Sequence, residues 1–484
     1  MQKLDLRELH EIYNRTKEFI QDDIRLLGNQ IDYVNPFWKN ILSNRRNFPE
    51  FNELLAFLRN NLTSGIAYGQ RFVSNVSQEK FLHNAKIKHH YTLKSVLKQV
   101  PREFIESFDE SILGLPYFFL QNSILSSTPF LQILPETYQI ISFVEERIGK
   151  EKELNILEIG AGWGAVAYQL LSKLNVKNYV ICDLHENLMI SSFFIQANFP
   201  DKKTHLILND EMDLGENSLV FCSPKRLPLV NGNFDIIINM QSFQEMYVKE
   251  VQRYMNFAKS SLTDNGFVFS ENGITFNNQK RPERAADYFY AENFEVIHLQ
   301  YGKRFTQHMF NGSKHEIILA KKKEDGVSVD ADYLDACCYL LQSRIDHNSE
   351  SLSQKLLKNG LDEKEKKFLL SINKFFNNSH QEEKISALDE MKGLGYESIG
   401  YYLAALMEIN FNQEKKAISS FEYAISSGLS GLALLNALLF LYIMQKDHSQ
   451  PARNKLITQV TEIFPEYKGL AKEIAVLKFN MDAL

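Results

Sequence analysis

The stretch ILEIGAGWGAVAYQLL, Ile156 to Leu171, decides how this 484-residue chain is read. An apolar run ends in three glycines, Gly160, Gly162 and Gly164. A helical pattern follows, with Val166, Leu170 and Leu174 four residues apart. The order predicts a strand, a tight turn and a helix. Glycine gives the turn access to positive φ and lets a ligand approach the backbone without a Cβ in the way. The helix N-terminus offers free N–H groups to a polar or anionic group. Such a turn serves a nucleotide-like cofactor, or strand-to-helix packing alone.

The next strand-like run, YVICDL, ends on Asp183, 19 residues beyond Gly164. An acid at that place accepts hydrogen bonds from both hydroxyls of an adenosine ribose. NAD and S-adenosylmethionine share this need, and the loop also reads as G-x-G-x-x-A with Ala165 last. Glu158 favours the second cofactor. It completes E-x-G-x-G-x-G, a form typical of class I methyltransferases. A carboxylate there supports the loop and counters the ammonium of the methionine part, and NAD has no cation to match. Trp163, inside the loop, is either an aromatic floor for the cofactor or core packing.

Outward from this loop, the β-rich runs LNILEIG, YVICDL, HLILN, FDIIINM and GFVFSEN alternate with helical ones. That texture predicts an α/β doubly wound domain with a parallel sheet. FEVIHLQY (Phe294 to Tyr301) and HEIILAKK (His315 to Lys322) have no helix pattern between them, so they are expected to pair antiparallel. This closing pair resembles strands six and seven of the class I methyltransferase sheet, and it also favours S-adenosylmethionine. The third strand is ambiguous. If it is HLILN, then Asp210 or Glu211 meets the adenine edge. If it is SLVFCS, Ser218 to Ser223, the role moves to Ser223 or nearby.

Three regions result. Residues 1–150 read as helical, a substrate cap or dimerisation element. Residues 151–323 form the Rossmann-like cofactor domain. After a charged linker, residues 333–484 are helical again. There, Ala417, Phe421 and Ala424 reproduce the A-x3-F-x2-A spacing of a tetratricopeptide repeat, with Ala405 and Tyr401 at the small and aromatic places of the preceding helix. One repeat cannot bury its own face, so this tail needs degenerate partners or docking. A protein partner or self-association is the expectation for it.

Bulk composition narrows the function. Lys and Arg total 54 against 60 Asp and Glu, a formal net charge of −6, which argues against nucleic acid as the main partner. The charged N-terminus lacks the apolar core of a signal peptide. The longest apolar run, Leu432 to Met444, is too short to span a bilayer, so no transmembrane segment is expected. The four cysteines show no CxxC or Cys/His ligand spacing, and a reduced, cytoplasmic setting follows most simply.

In such sheets ligands lie beyond the carboxyl ends of the strands. After FDIIINM comes QSFQEMY, and after GFVF comes SENG. Together with the glycine loop and YVICDLHENLMISSFFI, the segment FDIIINMQSFQEM resembles the sugar O-methyltransferase family of bacteria. That family has an Asn followed by S-F-x-E-M, here Asn239, Ser242, Phe243, Glu245 and Met246. Upstream, GLPYFF and STPFLQIL look like its Gly-x-Pro and Thr-containing segments. The resemblance spans roughly Leu113 to Lys322 and leaves the tail outside. Where family members often carry G-G-G-Y-G-G, this chain has GAGWGA.

The resemblance implies methyl transfer from S-adenosylmethionine to a sugar hydroxyl, in surface-glycan assembly. The acceptor hydroxyl must lose a proton, so a positioned base is expected. Glu245 is the first candidate, at the opening of a helix by the site's mouth; its structural alternative is a carboxylate that favours the helix dipole. His308 is the second, with a solvated loop histidine as the alternative. Gln241, Ser242, Glu271 and Asn272 are candidates for holding substrate hydroxyls. Asn239 joins the cofactor group with Glu158, the three glycines, Trp163, Asp183 and Asp210. Tyr68, Arg71 and Tyr117 suit a sugar face and a phosphate or carboxylate, against core aromatics and a surface Arg. His298, inside a strand, reads as structural. No Asp/Glu/His cluster of ligand spacing follows strands four and five, so metal-independent chemistry is expected. Two other functions stay open: a helical-repeat scaffold with a degenerate cofactor fold, and methyl transfer to a lipid or small metabolite.

Overall fold

The computed structural model describes residues 5–27, 50–57, 78–215, 217–273, 288, 290, 294–301, 315–321, 329–342, 346–444, 458 and 462. The chain folds as two compact units, one built on Met1–His298 and one on Val329–Leu484.

The first unit opens with helices α1 (Leu6–Leu27), α2 (Phe51–Phe57), α3 (Gln78–Val96) and α4 (Arg102–Glu106). Helix α1 buries Tyr13, Thr16, Phe19, Ile20 and Asp23, a stripe at the three- and four-residue spacing of one helix face. A β-hairpin follows, β1 (Phe118–Gln121) antiparallel to β2 (Ile124–Ser127). Its turn residues Asn122 and Ser123 both have positive φ, 50° and 63°. Two left-handed residues in a row match the right-handed twist of a two-residue hairpin. Reading residues 1–150 as helical missed this element, because each strand is four residues long and carries no clear period. Helices α5 (Thr128–Leu131) and α6 (Leu134–Phe143) complete the approach to the sheet.

The sheet is built from β3 (Leu154–Ile159), β4 (Val176–Cys182), β5 (Lys203–Leu206), β7 (Ser218–Cys222), β9 (Phe234–Met240), β10 (Leu262–Asn272), β11 (Phe294–Tyr301) and β12 (His315–Lys321). A small ladder, β6 (Met212–Asp213) with β8 (Val230–Asn231), lies outside it. The strand order is β11-β12-β10-β9-β3-β4-β7-β5. The pairs β10/β9, β9/β3, β3/β4, β4/β7 and β7/β5 are all parallel. The two last strands are neighbours as expected, and β12 inserts between β11 and β10. This is a Rossmann-like, mostly parallel sheet. Strand β5 lies at one edge, so HLILN is the edge and SLVFCS is the strand beside β4.

Helix α7 (Ala165–Lys173) follows β3, α8 (His185–Asn198) follows β4, and α9 (Val248–Ser261) precedes β10. Every residue of α8 from Leu188 to Asn198 is buried. That explains its lack of a polar face: the sheet covers one side and α1 packs on another, where Gln196 Nε2 donates to Thr16 Oγ1 at 3.3 Å.

The second unit is helical: α10 (Ala331–Gln342), α11 (Asp346–Leu357), α12 (Glu363–Asn377), α13 (Gln381–Gly393), α14 (Glu397–Asn410), α15 (Glu414–Ser426) and α16 (Gly431–Met444). Helix α12 starts on a capping box, with Asp362 and Glu365 each accepting the other's backbone N–H. Ala417, Phe421 and Ala424 are the buried residues of α15, and Ala405 is buried on α14. Tyr401 stacks on Tyr423 with ring centroids 5.4 Å apart. Among the described residues no helix is long and apolar enough to cross a membrane.

Candidate active site

The three glycines of the loop after β3 have three different reasons to be glycine. All have positive φ: 76° at Gly160, 60° at Gly162 and 88° at Gly164. A Cβ on Gly160 would stand 2.2 Å from Ser242 Oγ, so the turn after β9 closes directly on the loop. A Cβ on Gly164 would meet Ile195 of α8 at 3.1 Å, a helix-packing constraint. A Cβ on Gly162 would meet no protein atom within 4 Å. Among the described residues, position 162 therefore faces open space, the face of the loop at which the backbone can be approached.

Two buried carboxylates flank that face. Asp183 Oδ2 accepts the Gly162 N–H at 2.8 Å. Its Oδ1 accepts from Leu184 N at 2.7 Å and from Asn187 Nδ2 at 3.0 Å. Burial pushes its pKa up to about 6, against the opposing pull of those three donors. Glu158, inside β3, accepts from Tyr179 OH at 2.7 Å. Burial raises it to about 7, with the nearby Asp183 charge adding and the Tyr179 hydrogen bond opposing. Two acids that influence each other and are held above the ordinary carboxylate range suit a cationic ligand, which would favour their charged forms.

Trp163 goes the other way. It is 8% exposed and meets Phe194 of α8 edge-on at 5.2 Å. Its core-packing alternative accounts for that contact.

The carboxyl ends of β9 and β10 form one polar network. Asn239 Nδ2 donates to Ile159 O at 2.9 Å and to Ser242 Oγ. Asn239 Oδ1 accepts from Phe243 N at 3.2 Å and from Asn272 Nδ2 at 2.9 Å. Gln241 takes a left-handed φ of 61°, rare for a non-glycine residue, and its N–H donates to Glu271 O at 2.7 Å. Its Nε2 donates to Glu271 Oε2 at 3.1 Å. Asn272 Oδ1 accepts from Gln244 N at 3.3 Å. The structure thus brings Asn239, Gln241, Ser242, Glu271 and Asn272 together and joins them to the end of β3. Asn239, Glu271 and Asn272 are buried, whereas Gln241 and Ser242 keep partial exposure.

Glu245 closes a one-turn 3₁₀ helix, Phe243–Glu245, and is half-buried. It does not open the following α-helix; Tyr247 caps α9 and Glu250 is the acid of its first turn. Asp210 lies exposed in the loop after edge strand β5, so the strand that placed it by the adenine edge is not the one beside β4. Ser223, the alternative candidate, follows β7 directly and is buried. Tyr117 is half-buried just before β1. His298 lies in β11, where its ring accepts from Gln139 Nε2 at 2.9 Å and packs edge-on against Phe143, a structural setting. Tyr68, Arg71 and His308 lie outside the described residues. Among those described, no group of three or more His, Cys, Asp and Glu is placed to hold a metal ion.

Three contributors escaped the sequence. Tyr179 anchors Glu158 from the neighbouring strand, a match that only the register reveals. Asn187 holds Asp183 from four residues on, a spacing that was visible in DLHEN. Gln244 Oε1 accepts the Gly273 N–H at 2.7 Å and ties the two strand-end turns together.

No family model matches the chain, and no curated protein matches it. Solved structures with a similar fold include an S-adenosylmethionine-dependent methyltransferase from Clostridium acetobutylicum ATCC 824, at 10% identity and a TM-score of 0.29, over 39% of this chain and 91% of that one. A protein from Pyrococcus horikoshii OT3 aligns at 11% identity and a TM-score of 0.29, over 41% of this chain and 92% of its own. Magnesium protoporphyrin IX methyltransferase from Synechocystis PCC 6803, solved with bound SAM, aligns at 12% identity and a TM-score of 0.29, over 49% and 97%.

Proposed function

We propose that this chain is an S-adenosylmethionine-dependent O-methyltransferase whose acceptor is a sugar hydroxyl. The observation that carries the cofactor is the open position at Gly162, joined by hydrogen bond to Asp183. Asp183, whose Oδ1 accepts two donors and Oδ2 one, is the proposed ribose acceptor through Oδ2, and Glu158 the proposed counter-charge to the ammonium of the methionine part. When bound, the cofactor supplies an electrophilic methyl on a sulfonium, open to in-line displacement by an oxygen. The chain's own task is to hold that oxygen in line, take its proton and keep water out. Glu245 is the proposed base. Gln241 and Ser242, partly exposed at the end of β9, are the proposed contacts for acceptor hydroxyls. Asn239 and Asn272 hold that turn against β3.

The sugar acceptor rests on the resemblance of Asn239 to Met246 and the surrounding segments, and so does a place in surface-glycan assembly. The helical unit Val329–Leu484 is proposed to engage a protein partner or a second copy. Transfer of labelled methyl to purified glycan tests the reading. Label is expected in the glycan and lost in Glu245→Gln with cofactor affinity retained. Label entering only lipid or a small metabolite would move the acceptor class, and wild-type rates in Glu245→Gln would remove Glu245 as the base.

A further inference from the structure

A buried ion cluster joins α1 to the two loops beside the proposed nucleoside position. Asp23, fully buried in the last turns of α1, accepts from His185 Nε2 at 2.8 Å and from Arg226 Nε at 2.8 Å. His185 begins α8, two residues after Asp183. Arg226 sits in the turn that leaves β7, where its backbone N–H donates to Ser223 O at 2.9 Å. Burial alone would push the Asp23 carboxyl up, but the donors His185 and Arg226, with the Ser223 hydroxyl nearby, outweigh it and hold it below the ordinary range. Arg226 Nη2 is buried and has no protein partner among the described residues.

An apolar residue would attach α1 to α8 as well as Phe19 and Ile20 do. A buried charge with two partners is a weak choice for stability alone. What it does supply is fixed geometry: two loops held at one carboxylate. In an open α/β sheet ligands lie beyond the carboxyl ends of the strands, the side on which the loops after β4 and β7 stand.

We propose that α1 is part of the cofactor site, with Asp23 as a positioning residue that sets the spacing of the Asp183 and Ser223 loops through His185 and Arg226, and with Arg226 Nη2 as a donor to the purine. This rests on the S-adenosylmethionine reading. The adenosine part, not the methionine part, is the portion whose binding depends on it.

The test is calorimetry on the full chain with S-adenosylmethionine and with 5′-methylthioadenosine, a nucleoside lacking the amino-acid part. Wild type, Asp23→Asn and Arg226→Gln are compared, with melting curves for each. Both variants are expected to lose at least tenfold in affinity for both ligands, by similar factors. Losses under threefold, or a loss for S-adenosylmethionine with 5′-methylthioadenosine unaffected, overturn the proposal. A lower melting temperature with affinity unchanged also overturns it, since that is the mark of a purely structural pair. If Asp23→Asn does not fold, Arg226→Gln decides, because it leaves the His185–Asp23 bond in place. A wild-type chain that binds neither ligand overturns the cofactor reading itself, and this inference falls with it.

Discussion

Gly162 donates its backbone N–H to Asp183 Oδ2 over 2.8 Å, so the loop after β3 and the loop after β4 form one hydrogen-bonded unit. The same carboxylate is the proposed holder of the ribose. Asp183→Asn removes its charge and one acceptor, while ending the burial of an ionised group. The variant is expected to fold, with a melting temperature within a few degrees of wild type. Its affinity for S-adenosylmethionine should fall about 10–100-fold, the size of losing charge-assisted hydrogen bonds worth roughly 1.5–3 kcal/mol. Calorimetry checks this; unchanged affinity would remove Asp183 from the site.

The raised carboxylates set a pH dependence. Asp183 titrates at about 6 and Glu158 at about 7 in the fold, against ordinary values near 4. Between those limits the folded chain binds more protons than the unfolded one. The stability these groups contribute is therefore full below about pH 4 and is lost as pH rises through 6 to 7. A cationic ligand favours both ionised forms. Affinity for S-adenosylmethionine should thus rise between pH 5 and 8, with protons released on binding. Titrations in two buffers of different ionisation enthalpy measure the release; a flat affinity over this range would contradict the pairing of these acids with a cation.

Gly160→Ala places a Cβ 2.2 Å from Ser242 Oγ at a φ of 76°. The left-handed backbone costs about 1–2 kcal/mol and the overlap about 1–3 kcal/mol more. Denaturant melts should show the sum. Adding Ser242→Gly should recover the steric part and leave the backbone part, and a double variant no better than the single one would mean that the two turns do not touch.

Asn239→Ala strands the Phe243 N–H in a buried place, while the Asn272 amide keeps Ser270 Oγ at 2.8 Å. A loss of about 1–3 kcal/mol is expected, the usual cost of one buried donor without a partner. Methyl transfer should fall further than cofactor affinity, because the network shapes the acceptor side. Equal losses in both would place Asn239 with the cofactor alone.

The sheet and the geometry of the glycine loop were legible because their signals are local. Gly160, Gly162, Gly164, Glu158 and Asp183 lie within one strand–turn–helix–strand unit, where spacing maps directly onto position. The third strand was not legible, since HLILN and SLVFCS are both short and apolar and only pairing decides which lies inside. The β1–β2 hairpin was missed for the same lack of period. Asp23 was out of reach for another reason: it meets His185 and Arg226 across 162 and 203 residues. On a helix that already reads as amphipathic, one acid aligned with the apolar face gave no separate signal. The acceptor side falls between these cases. Its residues were named from the ends of β9 and β10, but their mutual hydrogen bonds depend on a left-handed Gln241 that no residue type announces.

The Gly162 face of the loop is proposed to hold S-adenosylmethionine. Titration calorimetry of the full chain with S-adenosylmethionine, using wild type and Gly162→Arg, is the test. One molecule is expected to bind per chain, with binding abolished when an arginine side chain occupies that face. No binding to the wild-type chain, or equal binding to Gly162→Arg, would contradict it.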